Sequence, residues 1–414
     1  MKRSPPTRYG RSPWLGQFLK SRVPAYPPFR GALKRDVVIV GGGLTGCTAA
    51  YAFAAAGVNV TLLEAGQLGR GGTAAASGWI AAEPGGEFLS LEKAIGLRKA
   101  RHAWHAWRRA ALDFSSLLRR LNVKCALDSR AAVAVATTPE QADRMKREQN
   151  ARRDAQINAS LVNARAVGAE AGVPGLAGLR TKEGATVDPY RACLGIAAAA
   201  AERGAQLCER SAVKKIKFSR KAVDVFTAHG TIRADALVVA TGMPTTPLFK
   251  SLIRHFWFQT TYLVLTEPVP ARVRHGLGTR AAVIRDNAEP PHLVRWINDE
   301  RLLVSGADAE TGSARLRDQQ IVQRTGQLMY ELSTLYPDIS GIQPAYGWDL
   351  PYARTADGLP YLGAHRNFPR HLFAFGGDSR SITGAYLASR ILLRRYLGEP
   401  ESADAPFEFA RHGR

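Results

Sequence analysis

The chain has 414 residues, of which 45% are hydrophobic and 22% charged, and its formal net charge is +22. This length and composition are typical of a globular protein with about two or three domains. No run reaches the roughly 18 apolar residues that a membrane-spanning helix requires. The basic residues are spread along the whole chain, so we interpret them as a solvated basic surface rather than a nucleic-acid site, although such a charge attracts polyanions.

The four cysteines, Cys47, Cys125, Cys193 and Cys208, show neither CxxC spacing nor histidine partners at metal-ligand spacing. We expect them to be buried free thiols in a reducing compartment, and we predict neither a metal site nor a disulfide framework. The basic N-terminus lacks the apolar segment of a secretory signal. We therefore expect a cytoplasmic protein without a membrane span.

Residues 1–33 are rich in Pro, Arg and Ser and lack periodicity, which predicts an extended or partly disordered arm. The segment 36–65 then has the pattern of a complete βαβ unit. A β-branched strand leads into a glycine-rich turn and an Ala-rich helix, and a second strand ends on Glu64. An acid at that position is placed to accept hydrogen bonds from the hydroxyls of an adenosine ribose.

The spacing Gly41-x-Gly43-x-x-Gly46 is the one that a dinucleotide pyrophosphate requires. Gly41 allows the tight turn out of the strand, Gly43 lets the backbone approach the phosphates, and Gly46 lets the helix pack closely on the sheet. The phosphates would lie at the positive end of the helix. An ordinary crossover helix leaves the three glycines unexplained, so we predict a nucleotide site.

The middle of the chain predicts alternating helices and strands. Residues 66–86 form a long loop of small residues, suited to close approach of a flat or anionic ligand. A helix is predicted over 88–121, then a strand at 130–137 and a helix that begins at Thr138-Pro139. The candidates for the inward face of the helix over 88–121 are Trp104, Trp107, Leu112, Phe114, Leu117, Leu118 and Leu121. The two tryptophans are interpreted as core rather than as cofactor contacts.

Asp188-Pro189 is a helix start and Gly204 a helix stop, and the strands that follow return the chain to the nucleotide-binding sheet. Short β-type runs over 256–307 predict an antiparallel sheet in a second domain. A helix at 318–335 follows. A strand into a second glycine pair then opens the last helix, from about Ile382 to Gly398.

Four motifs together identify a resemblance: VVIVGGGLTG with Glu64, ADALVVATG, the segment from Trp348 to Pro360, and FAFGGDSRSITG. The chain resembles the D-amino-acid oxidase superfamily of FAD-dependent oxidoreductases over roughly residues 35–400. Within it, the chain is most similar to the branch that contains γ-glutamylputrescine oxidase, glycine oxidase and sarcosine oxidase.

The resemblance implies an α/β fold: a discontinuous, Rossmann-like FAD-binding domain and a second α+β substrate domain that contains an antiparallel sheet. We assign 34–88, 147–247 and 345–400 to the FAD-binding domain, and 89–146 and 248–344 to the substrate domain. Residues 1–33 would be a basic arm and 401–414 a C-terminal tail.

The resemblance also implies the cofactor contacts. Helix N–H groups over Gly377 to Gly384 would face the flavin pyrimidine edge, where negative charge develops on reduction. Because neither this segment nor the loop after Glu64 contains His or Cys, we expect non-covalent FAD. The implied contacts are Gly41, Gly43, Leu44, Thr45, Gly46, Glu64, Ala65, Arg70, Gly72, Thr73, Ser77, Gly78, Trp79, Val213, Ala240, Thr241, Gly242, Gly376, Gly377, Asp378, Ser379, Ile382, Thr383 and Gly384.

The chain departs from its relatives where an arginine after the motif tryptophan pairs with a substrate carboxylate. Tyr352 occupies that position, and Arg354 lies two residues on. An α-amino acid and an amine or amino-acid derivative therefore both stay open as substrates. The residues expected to face the substrate are Tyr262, Arg295, Trp296, Tyr352, Arg354 and Arg380.

Several of these residues have a structural alternative. Tyr262 and Trp296 could serve packing alone, Arg295 could be a solvated partner of Asp299 or Glu300, and Asp378 could cap the last helix.

The resulting hypothesis is oxidation of a C–N bond to an imine by hydride transfer to flavin N5, with O2 or a quinone-linked carrier as the electron acceptor. Two alternatives stay open: a flavoprotein of the tRNA wobble-uridine modification type, which the basic charge would suit, and a non-catalytic flavin-binding assembly factor.

Overall fold

A computed structural model describes residues 6–19, 21, 23–246, 248–288, 291–377 and 379–412. In these ranges no helix is long and apolar enough to cross a membrane. The strands are β1 (Arg8–Tyr9), β2 (Gly31–Val40), β3 (Val60–Leu63), β4 (Trp79–Ile80), β5 (Asp128–Ser129), β6 (Ala131–Ala136), β7 (Ser160–Asn163), β8 (Ala177–Thr181), β9 (Ala185–Thr186), β10 (Gln206–Cys208), β11 (Lys215–Phe218), β12 (Val223–Phe226), β13 (Gly230–Gly242), β14 (Trp257–Thr266), β15 (Ala282–Arg285), β16 (Leu293–Ile297), β17 (Arg301–Glu310), β18 (Pro344–Arg354), β19 (Tyr361–His365) and β20 (Phe368–Phe375).

Helices separate only some of these strands: β10–β13, β15–β17 and β18–β20 follow one another without an α-helix between them. The helices are α1 (Pro13–Gly16), α2 (Leu44–Ala55), α3 (Gly72–Ala75), α4 (Phe88–Ile95), α5 (Leu97–Arg120), α6 (Pro139–Asp154), α7 (Ala164–Ala171), α8 (Pro189–Glu202), α9 (Ala271–Arg274), α10 (Arg317–Leu335) and α11 (Thr383–Leu397). Short 3-10 helices lie at Lys250–His255, Ala314–Leu316, Pro337–Ile339 and Ser402–Phe407.

An eight-stranded sheet, here called the nucleotide sheet, is built on the predicted βαβ unit. Strands β10, β3, β2, β13 and β20 run parallel, and the β11–β12 hairpin and β19 pair antiparallel at its edges. Residues 37–40 of β2 are buried, as expected for a parallel strand covered on both faces. Helices α2, α8 and α11 pack together over one face.

A nine-stranded sheet, in the order β1-β18-β14-β17-β16-β15-β6-β8-β7, is antiparallel except at the pairs β1–β18 and β15–β6. Its two faces alternate along β14. Leu263 and Leu265 pack with the core around α2, whereas Tyr262 and Val264 pack with the core around α10. The predicted antiparallel sheet, and with it the mixed α/β fold class, is confirmed.

The expected domain boundaries do not match this pairing at two places. The range 345–400 is assigned to the FAD-binding domain, but its first residues belong to β18, which pairs with β14 in the nine-stranded sheet. The range 147–247 is also assigned to the FAD-binding domain, but β8 pairs with β6 and β7 pairs with β8 in the nine-stranded sheet. The physical reason is local: the apolar residues of β6, α6 and β8 pack together, and β7 pairs with β8. We propose that the chain re-enters the nucleotide sheet after residue 181; the other boundaries stay predictions.

Three local expectations also need correction. The helix over 88–121 is two helices, because Gly96 adopts a φ of 83° between α4 and α5. Leu112 is 37% exposed, so it does not belong to the inward face. The described part of the arm is not irregular throughout: β1 pairs with β18, and Trp14 is buried with its indole N–H donating to the Ala76 carbonyl. The four cysteines are buried free thiols, as predicted.

Candidate active site

The glycine turn after β2 is packed too tightly for any side chain. The Gly41 amide donates to the Leu63 carbonyl at 2.9 Å, and a Cβ on Gly41 would lie 2.6 Å from the Ala240 carbonyl oxygen. A Cβ on Gly46 would lie 1.8 Å from the Gly41 carbonyl oxygen. The turn is therefore held between β3 and β13, and α2 begins directly above it.

Two side chains fix the shape of this turn. Glu64 accepts the Gly42 amide through Oε2 and the Gly66 amide through Oε1, both at 2.7 Å. Thr73 Oγ1 accepts the Leu44 amide at 2.8 Å. Glu64 thus orders the backbone, and its expected contact with a ribose stays a prediction, since a carboxylate oxygen can accept more than one hydrogen bond.

Backbone donors remain unused at the start of α2. Its N-cap, Gly43, offers no side-chain cap. Within the described ranges, the amides of Gly43, Thr45 and Gly46 have no protein acceptor. Unused amides at the positive end of a helix fit a phosphate, so this turn can hold the pyrophosphate of a dinucleotide.

The second glycine motif lies beside the first, on the other side of β13. The Gly376 amide donates to the Gly242 carbonyl at 2.9 Å, just beyond Ala240 and Thr241. Thr48 of α2 donates to the Ala385 carbonyl of α11 at 3.0 Å. The carboxyl ends of β2, β13 and β20 therefore bring both motifs to one edge of the nucleotide sheet, where such sheets bind ligands.

The loop that precedes α4 pairs with the segment that opens α11. Ser77 Oγ donates to the Arg380 carbonyl at 2.7 Å, the Ile382 amide donates to the Trp79 carbonyl at 2.9 Å, and Thr383 Oγ1 donates to the Ala81 carbonyl at 2.8 Å. These bonds bring together two stretches of the expected cofactor contacts, residues 77–79 and 376–384.

The remaining expected contacts fall around these motifs. Gly72 begins α3 and Arg70 lies exposed just before it. The Ser211 amide donates to the Glu64 carbonyl at 2.7 Å. Val213, two residues after Ser211, therefore lies near the end of β3, as does Ala65. Ser379 Oγ is buried with no partner in the described chain, and Gly384 lies in the first turn of α11. Asp378 lies outside the described residues.

A cavity of about 830 Å³ reaches the second glycine motif at Gly377. It brings together three of the residues expected to face the substrate: Tyr352, Arg354 and Arg380. The Tyr352 hydroxyl lies 2.8 Å from both Gln259 Oε1 and Asp308 Oδ2, and Arg380 Nη2 lies 3.5 Å from Asp308 Oδ2. Sequence reasoning missed Gln259 and Asp308, which sit on strands without any motif.

The other three expected residues do not line this cavity. Tyr262 is three residues from Gln259 on β14, so it points to the opposite face, where its ring lies under Arg324 of α10. Trp296 packs on that same face. Packing accounts for the positions of both residues.

Arg295 does not line the cavity and is not solvated. Its side chain is buried and donates to the Gly78 and Val187 carbonyls, each at 3.1 Å. Burial lowers the pKa of Arg295 to about 9. Since Gly78 belongs to the loop that pairs with α11, Arg295 acts as a positioning residue for that loop.

A buried ionic network borders the cavity and was not predicted. Arg152 bonds to Glu83 at 2.6 Å and to Glu148 at 2.7 Å, and Arg285 bonds to the other oxygen of Glu83. Burial alone would raise the pKa of Glu83, but the charges of Arg152 and Arg285 outweigh it and lower that pKa. No sequence pattern predicts the network, because its members come from three separate parts of the chain: the loop after β4, α6 and β15.

His292 forms a second ionic cluster at the cavity wall. Its Nδ1 lies 2.6 Å from Asp286 and its Nε2 lies 2.8 Å from Glu331. Burial alone would lower the pKa of His292, but hydrogen bonds and charges from Asp286 and Glu331 raise it above 6.5. The stabilisation from this cluster is therefore complete below pH 6.5 and is lost as the pH rises through the raised pKa of the folded state.

We expect His292→Gln to lower the free energy of unfolding by about 1–2 kcal/mol at about pH 6, because a charged hydrogen-bonding group is lost. The difference from the wild type should shrink at about pH 9. Urea unfolding at both pH values measures it. His275→Gln, at an exposed position, is the control and should change neither value; an equal loss for His292→Gln at both pH values would contradict the assignment.

The parallel sheet, the turn with unused amides and the cavity at its edge define a dinucleotide-binding enzyme fold. A family model described as FAD dependent oxidoreductase (DAO) matches residues 36–395. The chain belongs to this family, and FAD is its cofactor. The unused amides around Gly43 and the buried Ser379 hydroxyl fit that group.

Known relatives agree with this membership. The chain is 24% identical over 388 residues to γ-glutamylputrescine oxidoreductase of Escherichia coli (strain K12), covering 92% of this chain and 88% of the relative. It is 26% identical to glycine oxidase of Bacillus licheniformis, over 88% of this chain and 94% of the relative. The crystal structure of glycine oxidase from Geobacillus kaustophilus has the same fold, with a TM-score of 0.73 and 22% identity, over 92% of this chain and 100% of that one.

The protein is thus an FAD-dependent oxidoreductase. The two alternatives drawn from the sequence, a tRNA-modifying flavoprotein and a non-catalytic assembly factor, gain no support from these relatives.

Proposed function

We propose that the protein oxidises a C–N bond of an amine or amino-acid derivative to an imine. The observation that carries the proposal is the meeting of Tyr352, Arg354 and Arg380 in one cavity with Gly377 of the second glycine motif. The names of the matched relatives, an oxidoreductase of γ-glutamylputrescine and a glycine oxidase, support the same class of substrate. Bound FAD would supply the hydride acceptor.

The chain's own residues would bind and orient the two ligands. We propose non-covalent FAD, held by the amides at Gly43 to Gly46 and by the segment from Gly376 to Gly384, with the remaining expected contacts around them. Tyr352 and Arg380 would orient the substrate from the floor of the cavity, where they share Asp308. Each assignment of a site residue is a proposal that its substitution can test.

The electron acceptor, O2 or a quinone-linked carrier, stays a proposal, as does the cytoplasmic location, which the four buried thiols suit.

An anaerobic screen tests the function. The holoprotein is mixed with amino acids, N-methyl amino acids and polyamine derivatives, and loss of the oxidised flavin absorbance is followed. We expect at least one amine to bleach the flavin, and the product aldehyde or keto acid to appear in equal amount. Purified protein that takes up no FAD, or flavin that no amine reduces, would overturn the proposal.

Arg354 is proposed as the partner of an anionic group on the substrate. It lines the cavity and is exposed, and its guanidinium makes no hydrogen bond or ion pair with a described residue. A cation of this kind can bind a carboxylate through two parallel hydrogen bonds. It stands two residues beyond Tyr352, which replaces the carboxylate-binding arginine expected from the resemblance.

We expect Arg354→Gln to raise KM about 10-fold for amines that carry a carboxylate, since a charge-assisted hydrogen bond is lost, and to leave KM of amines without one unchanged. Steady-state kinetics with one amine of each kind measures this difference. Arg366→Gln removes the same charge at an exposed position outside the cavity and should affect neither amine. Equal effects on both amines would contradict the role of Arg354.

A further inference from the structure

Only one of the two carboxylate oxygens of Asp308 has a hydrogen-bond partner within the described chain. Its side chain is 7% exposed, and its Oδ2 lies 2.8 Å from the Tyr352 hydroxyl and 3.5 Å from Arg380 Nη2. Its Oδ1 is buried and accepts no hydrogen bond within the described chain. A buried carboxylate oxygen without a donor is costly, so the cavity around it is suited to a molecule that brings an N–H group.

Each of the other carboxylates that line the cavity forms an ion pair with a cationic side chain of the protein. These pairs are Glu87 with Arg144 at 2.7 Å, Glu148 with Arg152 at 2.7 Å, Asp286 with His292 at 2.6 Å, and Asp357 with Arg411 at 2.6 Å. Asp308 differs from them because its nearest cation is 3.5 Å away and touches only one of its oxygens.

A β-bulge turns Asp308 toward the cavity. Opposite β14, Tyr262 pairs with Gly306 but Thr260 pairs with Ala309, so β17 contains one extra residue. Ala307, within the bulge, has a φ of 52°, a conformation that residues other than glycine rarely adopt. Regular alternation would have placed position 308 with Val304 and Gly306, on the face that packs on α10.

Bulges that re-aim a side chain are common beside active sites, and a strained residue is kept where the surrounding structure demands it. Here the re-aimed group is an acid with a spare acceptor, next to Arg380 of the loop that opens α11. Tyr352 and Arg354 are alternate residues of β18, about 7 Å apart. An acceptor near Tyr352 and a cation at Arg354 suit a ligand with a nitrogen at one end and an anion at the other.

We propose that Asp308 accepts a hydrogen bond from the reacting nitrogen of the substrate, and that the bulge at Ala307 sets this contact. The inference rests on the proposed function and adds to it the residue that selects an amine. Asp308 would then be a specificity-determining residue, and Tyr352 a positioning residue that holds its other oxygen.

The test uses the FAD-loaded protein and four probes: glycine, N-methylglycine, L-proline and γ-glutamylputrescine. For the probe that reduces the flavin fastest, a non-reacting analogue is made in which carbon replaces the amine nitrogen. Rapid-mixing kinetics gives Kd for the amine, and titration of the flavin spectrum gives Kd for the analogue. We expect the wild type to bind the amine at least about 10-fold more tightly than the analogue.

Asp308→Asn should raise Kd for the amine about 10- to 100-fold and leave Kd of the analogue unchanged. Glu310→Gln is the matched control, since Glu310 is exposed, lies on the same face of β17 and does not line the cavity; it should change neither constant. An unchanged amine Kd in Asp308→Asn overturns the inference. So does a change in the Kd of FAD itself, which would assign the carboxylate to the cofactor.

If Asp308→Asn does not fold, the two Kd values of the wild type still test the inference. A wild type that binds the amine no more tightly than its carbon analogue overturns it. Failure of all four amines to reduce the wild-type flavin is a different result. It contradicts the proposed function, and the inference falls with it.

Discussion

Replacement of Gly46 by alanine is expected to abolish tight FAD binding. The new Cβ would lie 1.8 Å from the Gly41 carbonyl oxygen, a backbone atom that cannot rotate away. Either α2 or the turn must move, and the amides of Gly43 and Thr45 move with it. Overpacking of this kind costs about 1–3 kcal/mol, and loss of the oriented amides adds to it, so we expect the Kd of FAD to rise at least about 100-fold.

Quenching of flavin fluorescence during titration of the apoprotein measures that constant, and thermal unfolding with and without FAD separates binding from stability. Gly168→Ala is the matched control. Gly168 is an exposed residue within α7, and its Cβ would meet no atom within 4 Å. This change should leave FAD affinity unchanged and stabilise the helix by about 0.5–1 kcal/mol. Normal FAD affinity in Gly46→Ala would show that the turn does not hold the pyrophosphate.

The glycine turn was predictable because its information is local. Apart from Ala240 of β13, the residues that shape it all lie between Gly41 and Thr73. The same holds for α8, whose start at Pro189 with Asp188 as its N-cap follows from side-chain and ring chemistry at those positions. The second glycine motif was found in the same way, by a strand that opens into glycine before a helix.

The substrate side was predicted only in part, because strand registers decide it. On β18, Tyr352 and Arg354 face the cavity as expected, since a motif fixes that strand. On β14 and β16, the side of the sheet that Tyr262 and Arg295 face depends on pairing with distant strands, and a shift of one residue reverses the face. Asp308 is the clearest example of a residue whose direction the sequence does not predict. Its side chain points into the cavity because of a bulge in β17, and no residue type in that strand indicates a bulge.

The buried ionic network around Arg152 could not be predicted from the sequence. Arg152 lies in the last turn of α6 among other charged residues, and this pattern indicates a solvated helix face. Its side chain is nevertheless 2% exposed, because Glu83 approaches from a loop near β4 and Arg285 from the end of β15. Contacts between elements this far apart in the chain can be seen only once the fold is known.

We expect Arg152→Met to destabilise the protein by about 3–5 kcal/mol at pH 7. The wild-type network is neutral, with two carboxylates, Glu83 and Glu148, and two guanidiniums, Arg152 and Arg285. Without Arg152, two carboxylates at most 3% exposed would share only Arg285. An uncompensated charge buried in this way is far costlier than the loss of a surface ion pair.

The pH dependence separates this cause from a loss of packing against Trp104, over which Arg152 lies at 4.9 Å. The folded-state pKa of Glu83 is lowered from 4.5, so its stabilisation is complete above that value and is lost as the pH falls through the lowered pKa. The difference between wild type and Arg152→Met in urea unfolding, at a fixed excess of FAD, should therefore shrink below about pH 4.5. Packing loss alone would leave it constant.

Arg153→Met provides the control, because Arg153 is the next residue of α6, its side chain is 66% exposed and its nearest acid lies 3.7 Å away. We expect that variant to differ from the wild type by no more than about 0.5 kcal/mol. Equal losses for the two arginines would contradict the buried network. A large loss for Arg152→Met alone would show that the cavity wall depends on a charge balance assembled from α6, β15 and the loop after β4.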